Sequence, residues 1–317
     1  MEPLVQKILV VGGNGFIGSA VCKAAIARGM QVTSISSSGR AYRTPKGHTP
    51  TWTSKVEWRK ADALLPETYS DLLPGVNAVV HTLGTLLEDG RYKMALANGN
   101  VLGLLSAFAN GGGNPLEREA GRGSYEEMNR DSALRVCEAF VSSRRVPEIT
   151  NVRPFIYLSA EDIYRPIIPA RYIETKREAE QRINQLLRDH PDHRGVFVRP
   201  SLVYHAHHRP LTSPLAALID LSASLHAGAP SGLPTPSSVF RALGHAFPSS
   251  QGSPMSSPLN SIANALSIPP IHVEHVAEAI CAALDPARDV RGVVGVTEMR
   301  ELIGWSEKGQ EPHPGHA

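Results

Sequence analysis

Short apolar runs alternate along this chain with stretches of helical apolar spacing. Ile8-Leu9-Val10-Val11 is a continuous apolar run, which predicts a buried strand. From Phe16 to Arg28, Ile17, Val21 and Ala24 fall on one face, and Gly29 stands where a helix C-cap belongs. Gln31–Ser36 predicts a second strand, Val56–Arg59 a third, Asn77–Thr82 a fourth, Pro154–Ser159 a fifth and Val196–Pro200 a sixth. Helical segments lie between them: a short one over Pro66–Leu73, one from Tyr125 to about Ser143, and one from Ala170 to about Arg188. Strands that alternate with helices in this way predict an α/β fold, a doubly wound parallel sheet of the Rossmann type.

Two regions break the rhythm. Residues 95–124 hold clusters of Gly, Asn and Pro around the apolar piece Val101–Phe108. They read as an insertion, either an unstructured loop or a lid or docking element. From Pro210 to Pro270 the chain is rich in Pro, Ser, Ala and Leu, with helical spacing over Pro214–His226 and Val239–Phe247. Order returns at Ile271–Ala277, which leads into a helix to about Leu284, and Gly295–Glu298 reads as a last short strand. The organisation expected is a dinucleotide-binding domain over 1–205, a small substrate-side subdomain over 206–300 that completes the same unit, and a disordered tail over 310–317.

The composition excludes more than it selects. The 317 residues are 42% hydrophobic and 20% charged with a net charge of +2, which suits a globular chain with a sizeable core. No basic run is long enough to point to nucleic acid. No apolar run reaches the length of a membrane span. The three cysteines, Cys22, Cys137 and Cys281, are far apart and form no Cys-x-x-Cys pair, so core filling in a reducing compartment is expected. His205, His207 and His208 are clustered, and His272 and His275 are three apart. No carboxylate or cysteine joins them at ligand spacing, and no metal site is expected. The first strand begins too near the start to leave room for a signal or transit peptide ahead of it, which makes the cytosol the default compartment.

The chemistry begins at the turn after the first strand. Gly12, Gly15 and Gly18 are spaced Gly-x-x-Gly-x-x-Gly, around Gly13, Asn14, Phe16 and Ile17. Between a strand and a helix such glycines allow a sharp turn, close approach to a pyrophosphate and tight helix packing, with the helix N-terminus facing the anion. About twenty residues further on, an NAD site usually places a carboxylate against the ribose 2′-hydroxyl. This chain has Ser36, Ser37, Ser38 and Arg40 there, which favours NADP(H) over NAD(H) through hydroxyls and a guanidinium offered to a 2′-phosphate. The other reading is a serine loop with a solvated arginine. Asp62, just past the third strand, reads equally as a partner for adenine or as a helix cap. Leu83-Gly84 after the fourth strand gives the nicotinamide half a small-residue turn to lie against, and Pro200 follows the sixth strand.

Tyr172 and Lys176 are four apart at the start of one helix and share a face. A phenol ionises near pH 10, too high for proton exchange at neutral pH, and a neighbouring ammonium is expected to lower that value. Lys176 is also placed to bond the nicotinamide ribose, and Tyr172 to exchange a proton with a carbonyl or alcohol oxygen.

The glycine turn, the Tyr172/Lys176 pair, Arg199–Tyr204 and Val273-Glu274-His275-Val276-Ala277 together resemble the extended short-chain dehydrogenase/reductase superfamily. The resemblance covers about residues 7–205 and 270–298. Within it, Thr82–Glu88 and Tyr172–Glu180 look most like atypical mitochondrial members, those linked to coenzyme Q (ubiquinone) biosynthesis and the NAD(P)H-binding accessory subunit of respiratory complex I. The resemblance implies a peripheral protein on the matrix side of the inner membrane, working within a multiprotein complex, with a hydrophobic, prenylated or quinone-type substrate if it is an oxidoreductase. The alternative it carries is a non-catalytic, cofactor-binding accessory subunit. Departures from the superfamily bear on that choice. Counted back four from Tyr164, the position where catalytic members place Ser or Thr is Ala160, and Ser159 beside it is expected to point elsewhere. His275 stands where an Asp is usual, and residues 206–269 resemble no known pattern. The apolar face of 211–247 reads as a membrane or prenyl contact or as a cap packed on the sheet.

Overall fold

The computed structural model describes residues 5–84, 124–144, 146–165, 168–205, 219–224, 226, 234–246 and 257–305. The insertion at 95–123, His207, His208 and the tail past 305 lie outside them, as does most of 206–256.

Seven parallel strands form the central sheet in the order β3-β2-β1-β4-β5-β6-β9. They are β1 (Lys7–Val11), β2 (Gln31–Ser36), β3 (Val56–Lys60), β4 (Ala78–His81), β5 (Arg153–Leu158), β6 (His193–Val198) and β9 (Gly292–Val294). β1 is central, pairing Ile8 with Val32 on one side and with Ala78 on the other. The chain winds outward from it in both directions, as the doubly wound reading requires. A separate parallel pair joins β7 (Val203–Tyr204) to β8 (Ile271–His272).

β1 is buried on both faces, which explains its unbroken apolar run. Ile8 and Val10 point to a layer built from α1 (Phe16–Ala27) and α6 (Val273–Ala283). Leu9 and Val11 point to the opposite layer, with α2 (Ser132–Ser142) and α3 (Ala170–Arg188). These four side chains are at most 1% exposed, worth about 1.5–3 kcal/mol each in area removed from water. The remaining helices are α4 (Pro236–Ala246), α5 (Pro258–Ser267), which packs on it, and α7 (Val296–Leu302).

Three local expectations are corrected. Pro66–Leu73 is not one helix but two 3-10 turns, Pro66–Thr68 and Ser70–Leu72. Tyr69 between them leaves helical geometry with its ring fully buried and its hydroxyl on Ala63 O at 3.1 Å. The helix expected from Tyr125 to Ser143 opens with a π-helical turn over Glu126–Asp131, which places Asn129 in the interior. The last strand is Gly292–Val294, and Gly295–Glu298 belongs to the next helix. Gly295 is the extended N-cap of α7, Glu298 lies in its first turn, where a negative charge suits the helix dipole, and Val296 and Met299 bury one face three residues apart.

No helix among the described residues is long and apolar enough to cross a membrane.

Candidate functional site

The glycine turn lies at the C-terminal end of the central strand, where open α/β sheets hold their ligands. Gly12 has φ +85°, a left-handed conformation that favours glycine. Gly18 is closed to any side chain, because a Cβ there would stand 2.2 Å from Gly12 O and 2.8 Å from Thr82 Oγ1. Gly13 was not assigned a role from the sequence. It is just as constrained, since its Cβ would meet Ser34 Oγ at 2.3 Å. Gly15 is exposed and extended, caps α1, and donates to Gly12 O at 2.9 Å. No acidic residue sits in the first turn of α1, where Phe16 and Ile17 begin the helix. This is a bare main-chain cradle at a helix N-terminus, and it fits a dinucleotide pyrophosphate.

The residues expected on the adenosine side are knitted to that turn. Asn14 Nδ2 donates to Ser38 Oγ at 3.1 Å and to Arg40 O at 3.4 Å. Ser36 Oγ accepts from Gly39 N at 3.1 Å, and Ser38 Oγ from Arg40 N at 3.3 Å. Ser37, Ser38 and Arg40 are exposed. Asp62 Oδ1 accepts from Leu64 N at 3.0 Å, so this carboxylate does local capping work in the turn after β3.

Where the nicotinamide half is expected, Leu83-Gly84 bridges the glycine turn and Lys176. A Cβ on Gly12 would stand 2.7 Å from Leu83 Cδ2, and one on Gly84 would stand 2.8 Å from Lys176 Nζ and 3.1 Å from Asn129 Oδ1. Lys176 is buried at the ends of β4 and β5, with Nζ donating to Leu158 O at 2.8 Å and Leu83 O at 3.3 Å. Its Nζ also stands 4.7 Å from the Tyr157 ring centroid. Burial pulls its pKa down to about 7, against the opposing pull of Glu180. Around it lie groups that the sequence did not disclose. Asn129 donates to Thr175 Oγ1 at 3.3 Å, and its carbonyl accepts from Tyr157 OH. His81 contacts Ser132 Oγ at 3.2 Å, and burial, then Lys176, lowers its pKa to about 3. Asn129 carries no spacing signal, since only the π-helical turn directs it inward.

Tyr172 behaves differently from the expectation. Its ring lies edge-on to Tyr125 at 6.1 Å, and burial raises its pKa to about 12, with Tyr125 adding to the rise and Arg177 opposing it. The expected lowering by Lys176 is absent, because the ammonium is turned inward to the carbonyls of Leu83 and Leu158. The Ser159 hydroxyl is committed as well. It donates to Glu180, which also holds Arg199, and it accepts from Arg177 at 3.1 Å. Pro200 lies behind this network, its carbonyl accepting from Glu161 N at 2.9 Å. Two clefts of about 600 and 680 Å³ open at the opposite edge of the sheet, lined by residues such as Gln6 and Arg28 or Lys7 and Gln31, and include none of these side chains.

A glycine cradle at the head of a doubly wound sheet, with a buried lysine across from it, defines a nucleotide-dependent oxidoreductase-like class. The chain belongs to the NAD dependent epimerase/dehydratase family, whose sequence pattern matches residues 8–247. It is 35% identical over 211 residues to MIOREX complex component 2 of Saccharomyces cerevisiae, covering 64% of this chain and 75% of that protein. It is 26% identical over 209 residues to 2-alkyl-3-oxoalkanoate reductase of Stenotrophomonas maltophilia, covering 63% of this chain and 51% of that one. Among solved structures, a putative 3-oxoacyl-reductase from Bacillus thuringiensis shares the fold, with a TM-score of 0.52 at 10% identity over 92% of this chain and 97% of that one.

Gly18→Ala is expected to weaken dinucleotide binding by about tenfold or more, about 1.4 kcal/mol, and to lower the melting temperature, because its Cβ also displaces α1. An unaltered dissociation constant in a fluorescence titration contradicts the cradle. Lys176 binds its proton less readily when folded than when unfolded, so its burial is unfavourable below about pH 7 and this cost fades as pH rises toward the free-lysine value. The stability of the native chain relative to Lys176→Met therefore rises between pH 7 and pH 9 in urea denaturation. A difference that is flat or falls over that range counts against a buried, depressed lysine.

Proposed function

We propose that this chain is an NADP(H)-preferring, short-chain dehydrogenase/reductase-like protein that works within a multiprotein mitochondrial complex. The reaction proposed is hydride transfer to a hydrophobic carbonyl or quinone-type compound, in connection with ubiquinone biosynthesis. The observation that carries the reading is the continuity from Gly12 through Leu83-Gly84 to Lys176, which puts a pyrophosphate cradle and a buried cation at one edge of the sheet. A bound nicotinamide supplies or accepts the hydride. Lys176, fixed by two carbonyls, orients the ribose side and places positive charge there. Tyr172, at the mouth beside Tyr125, holds the proton that a carbonyl oxygen needs. Residues 206–300 are the proposed substrate-side subdomain that completes the unit, and residues 1–205 the cofactor domain.

Support for the finer points is of different kinds. NADP(H) preference rests on the absence of a carboxylate at Ser36–Ser38 and on the exposed Arg40 that Asn14 helps to position. Work within an assembly is supported by the yeast relative, named as a component of a complex. The mitochondrial matrix, the inner-membrane periphery and the ubiquinone link rest on the resemblance of Thr82–Glu88 and Tyr172–Glu180 to mitochondrial members. A hydrophobic ketone as substrate is in keeping with the name of the bacterial relative.

A second reading, a cofactor-binding accessory subunit without turnover, is favoured by a specific observation. Ala160 offers no hydroxyl, the Ser159 hydroxyl is bound to Glu180, and the Tyr172 phenol stays protonated far above neutral pH. Tyr172→Phe separates the two. On the catalytic reading, the variant keeps its cofactor affinity and loses carbonyl reduction by about a hundredfold or more. Wild-type rates in the variant remove Tyr172 from the chemistry, and no turnover in the native chain leaves the accessory reading. For the cofactor, NADPH is expected to bind about tenfold tighter than NADH, the equivalent of one charge-assisted hydrogen bond. A clear preference for NADH in paired titrations rejects the 2′-phosphate assignment.

A further inference from the structure

At the opposite edge of the sheet, where α3 ends and β6 begins, the chain makes the turn His190-Pro191-Asp192-His193. His193 N donates to His190 O at 2.9 Å, which closes the turn and brings its two imidazoles to 6.1 Å, ring to ring and perpendicular. The turn is anchored on both flanks. His190 N donates to Leu187 O at 3.1 Å, and Asp192 O accepts from Arg153 N at 2.9 Å. One ligand atom each from His190, Asp192 and His193 lies within 4.8 Å of the other two. We propose that these three side chains form a binding site for a divalent transition-metal ion of the zinc class, distinct from the dinucleotide site.

Three features support it. His193 is 4% exposed, its Nδ1 stands 3.0 Å from Asp192 Oδ1, and its Nε2 has no hydrogen-bond partner among the described residues. Nδ1 is therefore the ring atom that faces the cluster, and Nε2 lies on the far side of the ring. Second, the cluster lies just past the C-terminus of a 19-residue helix, where unpaired carbonyls favour a cation. Third, two imidazoles and one carboxylate are a zinc, cobalt or nickel donor set, not a magnesium or calcium one. His190 and Asp192 are half-buried, which leaves their side chains room to turn toward His193, with water to complete the shell. The charges nearby are accounted for. Arg188 is solvent-facing, and Arg153, opposite His193 on β5, stacks on the Phe140 ring at 4.1 Å while its guanidinium serves Val76 O and Leu73 O. The six residues of β6 put this site on the order of 20 Å from the C-terminal edge that holds the glycine turn.

The test is zinc binding to the full chain, prepared without a histidine tag and read by competition with a chromophoric chelator. Co²⁺ substitution reports the coordination shell by its visible spectrum. One tight equivalent is expected in the native chain. His190→Ala and Asp192→Asn, both at accessible positions, are each expected to weaken it by about tenfold or more. Dinucleotide affinity stays unchanged in both variants, which keeps this result independent of the function proposed above. The proposal is overturned if the native chain takes up no zinc equivalent. It is overturned equally if the two variants bind zinc as the native chain does, which would assign the metal to other histidines.

Discussion

A contact between main-chain atoms governs this molecule. The first turn of α1 lies directly on the turn that precedes it, with no room between Gly18 and Gly12 O for even a methyl group. That approach fixes the angle at which α1 leaves β1, and so the layer α1 forms with α6 against Ile8 and Val10. The same approach keeps side chains out of the space where a pyrophosphate belongs. Packing and ligand binding thus draw on one steric fact, and a change at Gly13 or Gly18 disturbs both.

Across from the cradle the organising influence is electrostatic. Lys176 is carried to the ends of β4 and β5 by α3, and two carbonyls hold its ammonium in an interior that disfavours charge. Asn129, Thr175, Tyr157, His81 and Ser132 complete a polar shell within the layer. Outside that shell, Glu180 gathers Ser159, Arg177 and Arg199. Through Glu180, the Ser159 hydroxyl holds α3 to the ends of β5 and β6. The catalytic and accessory readings part at this point, since the cofactor end of the site is ordinary and the reactive end is sparely equipped.

The parts of the architecture legible in the sequence are those dictated by local periodicity. β1, β4 and β5 are buried on both faces and read as apolar runs, and the glycine triad stands in the strand-to-helix context that gives it meaning. Features set by tertiary contact were not legible. The π-helical turn that aims Asn129 at Gly84 has no spacing signature, and the constraint on Gly13 arises from Ser34 on the neighbouring strand. Tyr172 and Lys176 share a helical face, as four-residue spacing requires, yet spacing says nothing about which neighbour an ammonium chooses. The His190-Pro191-Asp192-His193 turn shows the converse. Two imidazoles and a carboxylate lie within four residues there, overshadowed in the sequence by the histidines around 205 and 272.

The layer over α1 has a consequence for how the chain comes into being. Its partner helix α6 begins at Val273, and the contacts that seal it span most of the molecule: Gln6 Nε2 donates to Leu284 O, and Lys23 pairs with Glu274 at 2.7 Å. β9, which completes the sheet beside β6, comes later still. The opposite layer closes with α2 and α3, about a hundred residues earlier. During synthesis the nascent chain therefore carries a sheet finished on one side and apolar on the other, with Val21 and Cys22 uncovered until the last helices emerge. Such a chain depends on contacts of long sequence separation, the kind that form slowly and leave an intermediate open to wrong partners. Between the end of α3 at Arg188 and the start of α6 at Val273, about a quarter of the chain is added before the second layer closes.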